Sequence, residues 1–155
     1  MPLMDLLTAE AIIPALKVNS KKQALQEIAE RAAVVSGLPA RQIFDIVLQR
    51  ERLGSTGVGN GVAIPHGKMA AAKNIFAVFA RLERPIDFDA QDGVPVDLIC
   101  MLIAPESAGA DHLKALAKIA RVLRESSFTA QLRATKDAAA LHLMLTQTLV
   151  TSHAA

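Results

Sequence analysis

The sequence predicts an α/β sandwich, a short sheet with helices on both sides. Two observations carry this. Residues 96–104 are apolar almost throughout, as expected of a strand buried on both faces. Segments with apolar residues at helical spacing lie before and after that run. No linker, repeat or low-complexity block divides the 155 residues. One domain over residues 1–150 is therefore expected, with a loose tail at 151–155.

Leu3 to Leu7 is a short apolar lead-in. Ile12-Ile13-Pro14 reads as a short edge strand, because Pro14 cannot donate to a ladder. Ser20 then reads as a helix N-cap, with Gln23 completing a capping-box pattern. Leu25, Ile28, Ala29, Ala32 and Val35 recur at helical spacing, and Gly37 stops the helix. Pro39 suits the first turn of a second helix carrying Ile43, Phe44, Ile46, Val47 and Leu48. At about 100° per residue, Arg50 falls on the apolar face with Ile43 and Val47, and Arg52 on the solvent side. Two readings of Arg50 stay open: an inward cation awaiting an anionic partner, or a C-terminal arginine favoured by the helix dipole.

Residues 62–64 form a β-like run that stops at Pro65. Residues 75–82 read as a strand, and 85–88 as a turn and short extended piece. Asp92-Gly93 is a turn signal, and Pro105 ends the strand over 96–104. A helix over about 111–125 carries Leu113, Leu116, Ile119, Ala120 and Leu123. A last helix over about 136–149 carries Ala140, Leu141, Met144, Leu145 and Thr148.

Composition excludes several function classes. The chain is 52% hydrophobic but only 3% aromatic, so its core must be aliphatic. It has no Trp or Tyr, which removes the usual base-stacking groups. A net charge of +2 is too small to argue for nucleic acid or acidic membranes. Cys100 is the sole cysteine, so no internal disulfide can form, and a buried reduced thiol is expected. The apolar run over 98–104 is too short to span a bilayer. The N-terminus carries Asp5 and no positive flank before an apolar core, so no signal peptide is read. A cytoplasmic protein is expected.

The chemistry concentrates in residues 50–68, where a glycine-rich loop leads through Pro65 to His66 and Gly67. Gly67 sets no side chain beside the imidazole, so a second molecule has room to approach. A neutral imidazole is a good phosphoryl acceptor near pH 7. Such transfer asks mainly for in-line positioning and compensation of oxygen charge. Arg50 offers a planar fork, Ser55 and Thr56 offer hydroxyls, and the loop glycines offer backbone N–H groups. His112, at an expected helix start, is a second donor that the helix N-terminus tends to keep neutral. Ser55 and Thr56 also fit as plain turn formers. His142 and His153 read as packing and tail residues. No Gly-Lys-Ser/Thr follows the glycine loop, so it is not a P-loop. Ser55 has no glycine two residues before it, so there is no nucleophile elbow. The histidines and Cys100 lack metal-ligand spacing.

Glu51, then Val58-Gly59, then Val62-Ala63-Ile64-Pro65-His66-Gly67 resembles the active-site pattern of the mannitol/fructose-type enzyme IIA proteins of the bacterial phosphotransferase system. The similarity extends through Ser20-Lys21-Lys22-Gln23-Ala24-Leu25, Pro85-Ile86-Asp87-Phe88-Asp89, Pro95-Val96-Asp97-Leu98 and Asp111-His112-Leu113. Residues 54–61 most resemble the nitrogen-regulatory branch. The resemblance implies a central mixed β-sheet flanked by helices on both faces. It implies that His66 accepts a phosphoryl group from an HPr-like carrier, with Arg50 and His112 in supporting positions. It implies no cofactor beyond the transient phosphohistidine. It also implies regulation, by phosphorylation state, of targets such as potassium-transport components or sensor kinases. Two rivals stay open: a sugar-specific enzyme IIA that passes phosphate to a IIB domain, and a phosphate-independent binding module.

Overall fold

A computed structural model describes residues 6–151. Its elements in order are β1 (Ile12–Leu16), α1 (Lys21–Ser36), α2 (Ala40–Arg52), β2 (Gly57–Gly59), β3 (Val62–Ala63) and β4 (His66–Met69). Then follow β5 (Phe76–Ile86), β6 (Val96–Pro105), α3 (Ala110–Val122), α4 (Ser126–Ala134) and α5 (Ala138–Thr151). Leu3, Met4 and Asp5 of the expected lead-in lie outside the described residues, while Leu6 and Leu7 are buried. Of the tail, Thr151 closes α5, and residues 152–155, His153 among them, lie outside the described residues.

The local signals operate as their chemistry requires. Ser20 Oγ accepts from Gln23 N at 3.2 Å. Gln23 Oε1 in turn accepts from Asn19 N at 2.8 Å, one residue before the cap, which is a capping box shifted by one position. Gly37 ends α1 in the left-handed region at φ 77°, and its N–H reaches Ala33 O at 2.8 Å.

The sheet order is β1-β5-β6-β3-β2, with β4 also on β6. β1 is an edge, parallel to β5, and tolerates Pro14 for that reason. Arg81 Nη1 caps the carbonyl of Pro14 at 3.1 Å. β5 and β6 are antiparallel, whereas β3 and β4 both run parallel to β6, so the sheet is mixed. β5 extends four residues beyond the expected strand, through Pro85 to Ile86, after a register shift beyond Arg81.

Both faces of the central strands are covered. Phe79 lies opposite Cys100 and Ala77 opposite Leu102, so these four share one face. Ala77 and Cys100 there meet Ile119 and Val122 of α3 and Leu145 and Leu149 of α5 around a small apolar void. On the other face, Gly67 of β4 abuts Ile46 of α2, and α2 packs on α1. The core is aliphatic around Phe79 and Phe88.

Three local expectations need correction. Pro65 does not end the extended segment: the chain resumes at His66 as β4, because Leu102 N bonds to Pro65 O at 2.9 Å and the ladder to β6 continues. The helix expected to reach residue 125 stops at Val122. A separate nine-residue helix, α4, follows at Ser126–Ala134. α5 begins at Ala138 rather than near 136, after Asp137, whose carboxylate accepts from Ala140 N at 2.9 Å.

Burial raises the Cys100 thiol to about 12. The native chain at pH 8 is expected to resist iodoacetamide, with alkylation rising only along the urea unfolding curve. Rapid alkylation of the folded chain would contradict this.

Candidate active site

His66 opens β4, and its placement follows from strand alternation. The parallel register pairs His66 with Leu102 and Gly67 with Ile103. His66 therefore projects to the α3 side of the sheet, and Gly67 faces α2. Lys68, two residues on, shares the side of His66. These residues line an open groove with Ile46, Gln49, Arg50 and Leu53 of the α2 end and His112 of α3. The structure thus brings together His66, Arg50, His112 and Gly67.

The half-buried imidazole of His66 is oriented by its own backbone. Nδ1 lies 2.9 Å from Ile64 O. A carbonyl only accepts, so Nδ1 carries the hydrogen and donates. Nε2 is then the atom with a free lone pair. The proline between the two partners holds the extended conformation that makes this bond possible.

Arg50 sits on the inward side of α2 and Arg52 is exposed, as the helical spacing requires. Arg50 Nη1 donates to Gly54 O at 3.0 Å, which lays the guanidinium along the loop. Among the described residues Arg50 makes no ion pair, so the rest of its fork is free for an anion in the groove.

His112 is buried at 6% exposure, with its ring centroid 5.7 Å from that of His66 and the planes tilted by 53°. Its Nε2 has no hydrogen-bond partner among the described residues. Burial first, then the charges of His66 and Lys68, hold its titration below the ordinary histidine range. The helix start was the expected cause of a lowered titration; burial is the first cause of the downward push.

Ser55 and Thr56 are not brought to the groove. Ser55 Oγ donates to Phe88 O at 3.0 Å and accepts from Gly57 N at 3.0 Å. Thr56 is buried, with its hydroxyl on a carboxylate oxygen of Glu51 and its N–H 3.2 Å from the other. Both hydroxyls are thus committed to holding the loop, which is the turn-forming alternative. Several loop amides are committed in the same way: Gly54 N bonds to Glu51 O at 3.1 Å and Asn60 N to Asp92 Oδ2 at 2.9 Å, and β2 pairs with β3. Arg133 of α4 fastens the turn, with Nε on Asp97 at 2.9 Å and Nη2 on Asn60 O at 2.7 Å. Gly61, at φ 82°, lies under that guanidinium, where a Cβ would come within 2.7 Å of Nη2.

Gly67 has a tighter reason to be glycine than access. A Cβ there would lie 2.5 Å from Cγ2 of Ile46, so Ile46 and α2 would have to shift away from β4. Sequence reasoning missed Lys68, Gln49 and Leu53 as groove residues, and it missed the Glu51 anchor. Glu51 pairs with Lys21 Nζ at 2.8 Å, with only 2% of its side-chain surface exposed. Leu53, 84% exposed at the groove, and Leu113, 65% exposed beside His112, add apolar surface. The strand continuing past Pro65 was the signal that would have found Lys68.

The chain matches the family model "Phosphoenolpyruvate-dependent sugar phosphotransferase system, EIIA 2" over residues 5–148. It is 60% identical over 145 residues to a nitrogen regulatory protein of Bradyrhizobium diazoefficiens, spanning 94% of this chain and 95% of that one. The crystal structure of nitrogen regulatory protein IIA-Ntr from Neisseria meningitidis superposes with a TM-score of 0.87 at 36% identity, covering 92% of this chain and 98% of that one. IIA mannitol from Escherichia coli shares the fold, with a TM-score of 0.73 at 21% identity over 92% and 97% of the two chains.

Two stability predictions follow from the packing. Gly67→Ala should destabilise the chain by about 1–3 kcal/mol through overpacking, and Ile46→Ala in the same chain should recover part of the loss. Urea denaturation of both variants checks this; no recovery would contradict it. Glu51→Ala should cost about 3–5 kcal/mol by the same measurement, because Lys21 and the Thr56 groups lose their buried partner.

Proposed function

Because the chain belongs to the EIIA 2 family of the phosphoenolpyruvate-dependent sugar phosphotransferase system, we propose that it is a phosphocarrier of the nitrogen-regulatory branch. His66 accepts a phosphoryl group from a phosphohistidine on an HPr-like carrier. Phosphorylation state then sets binding to regulatory targets, with potassium-transport components and sensor kinases as the classes the resemblance suggests. The single observation that carries this reading is the His66 ring, tied through Nδ1 to Ile64 O in a groove that also holds Arg50, Lys68 and His112.

In the transfer step the Nε2 lone pair of His66 forms the new N–P bond. The donor's N–P bond breaks, and its electron pair returns to the donor nitrogen. The hydrogen stays on Nδ1, donated to Ile64 O, so no base is needed to prepare the nucleophile. Arg50 and Lys68 face the oxygens whose charge the passage through a metaphosphate-like state spreads outward. The groove is open and bordered by exposed Leu53, which suits an apolar carrier surface. The regulatory role is supported by the nitrogen regulatory names of the relatives. Adding a phosphoryl group to this surface changes its partners, since an unpaired charge is costly to bury.

Incubation with enzyme I, an HPr-like carrier and labelled phosphoenolpyruvate tests the reading. The wild type should take up about one label per chain and His66→Ala none. Arg50→Ala should slow uptake by about 10²-fold, and Arg52→Ala should leave the rate near wild type. An unlabelled wild type would make the chain a phosphate-independent binding module. Efficient onward transfer to a sugar-specific IIB domain would make it a sugar carrier. Equal rates for the two arginine variants would remove Arg50 from the mechanism.

A further inference from the structure

We propose that His112 is the proton partner of the phosphoryl group: it takes up one proton from solvent when His66 is phosphorylated and releases it when the group leaves. The inference rests on phosphorylation of His66 and adds a second, linked equilibrium to it.

The argument begins with an unusual polar atom. His112 is 6% exposed, yet its Nε2 has no hydrogen-bond partner among the described residues. A buried polar nitrogen without a partner is costly, so its presence calls for a state in which it is satisfied. The ring lies in the same groove as His66, centroid to centroid 5.7 Å. A phosphoryl group on His66 would be the nearest new anion.

The charged surroundings favour the neutral form before transfer and the cationic form after it. His66 and Lys68 face His112 from β4, and Arg50 lies across the groove on α2. On α3 itself the adjacent charge is Asp111, which is exposed. The ring is also the third residue of α3, where the helix dipole disfavours a cation. Burial and the neighbouring positive charge push the titration of His112 down in the free protein. Phosphorylation offsets that positive charge and sets an anion beside the ring. The transferred group carries up to two negative charges on its oxygens. Arg50 and Lys68 face it at the groove, and a protonated His112 would add a third positive charge, from the buried side.

The balance is simple. One phosphoryl group moves from donor nitrogen to His66 Nε2, and one proton moves from solvent to the His112 ring. Neither step needs a further reactant. On transfer onward, or on hydrolysis, the proton returns to solvent. The site is then less negative towards a docking partner than the phosphoryl group alone would make it, and retention of the group becomes sensitive to pH. The folded acceptor binds more protons when phosphorylated, so rising pH favours loss of the group between the two His112 midpoints.

Histidine ring resonances of the full chain, labelled with nitrogen-15 and followed by NMR from about pH 4 to 9 in the free chain and about pH 6 to 9 in the phosphorylated one, test this. The chain is compared before and after phosphorylation by phosphoramidate, with occupancy of His66 read by mass spectrometry. The His112 midpoint should rise by about 1–3 units in the phosphorylated chain. His66→Ala treated in the same way should show no rise. A second reading uses the equilibrium with the HPr-like carrier. The phosphorylated-to-free ratio of the wild type, divided by that of His112→Gln, should fall up to about tenfold per pH unit between the midpoints. A phosphorylated His66 with an unmoved His112 midpoint would overturn this inference alone. A His66 that never becomes phosphorylated would overturn it together with the phosphocarrier reading.

Discussion

A carboxylate with 2% of its surface exposed in an aliphatic interior must have every lone pair answered, and Glu51 shows where the answers come from. Lys21 Nζ arrives from the first turn of α1 at 2.8 Å. The N–H and hydroxyl of Thr56 arrive from the loop after α2. Lys21 also lies 4.6 Å over the ring of Phe88, and its ammonium reaches Phe88 O at 3.3 Å. Ser55 Oγ bonds the same carbonyl. One buried anion therefore joins the start of α1, the end of α2, the glycine loop and the segment after β5. Arg50 precedes it by one residue and the glycine loop leaves from it. The position of the site's guanidinium and the path of the chain towards Pro65 both descend from this pairing.

Past that anchor, the alternation of a strand divides the labour. β4 presents His66 and Lys68 to the α3 side and Gly67 to the α2 side. One face carries His66 and Lys68, and the other lets a helix come close enough to bring Arg50 to the groove. The hairpin before it is held at its far end by Arg133, bonded to Asp97 and Asn60. Asp92, bonded by Asn60 and Val94 amides, is held below the usual carboxylate range by those bonds. The loop that reads as a phosphate cradle is thus a rigid strut. The groups that line the groove come from three separate elements instead: α2, β4 and the start of α3.

The fold was legible wherever a residue's role depends on its neighbours in sequence. The cap at Ser20, the stop at Gly37, the edge strand with Pro14 and the twice-buried run ending at Pro105 all follow from short-range rules. Helix α4 was not legible, because the polar run Arg124-Glu125-Ser126-Ser127 interrupts the apolar spacing and Phe128 and Leu132 are too few to mark a nine-residue helix. Within the site, His66 stood out by its Pro-His-Gly frame and Arg50 by its helical phase. Ser55 and Thr56 misled because a hydroxyl beside a glycine loop looks alike whether its partner is a ligand or a distant carbonyl.

Sequence by itself determined the phase of each helix, hence Arg50 inward and Arg52 outward, and the backbone stiffness that presents His66. Those properties are set within one turn or a few residues of chain. Only the tertiary structure decided that the chain after Pro65 joins β6, which puts Lys68 beside His66. It also decided that Gly67 must admit Ile46, that Glu51 takes up the loop hydroxyl, and that His112 is buried with a nitrogen unmatched among the described residues. Each of these is a contact between segments far apart in sequence, and its energy exists only once both partners have left water together.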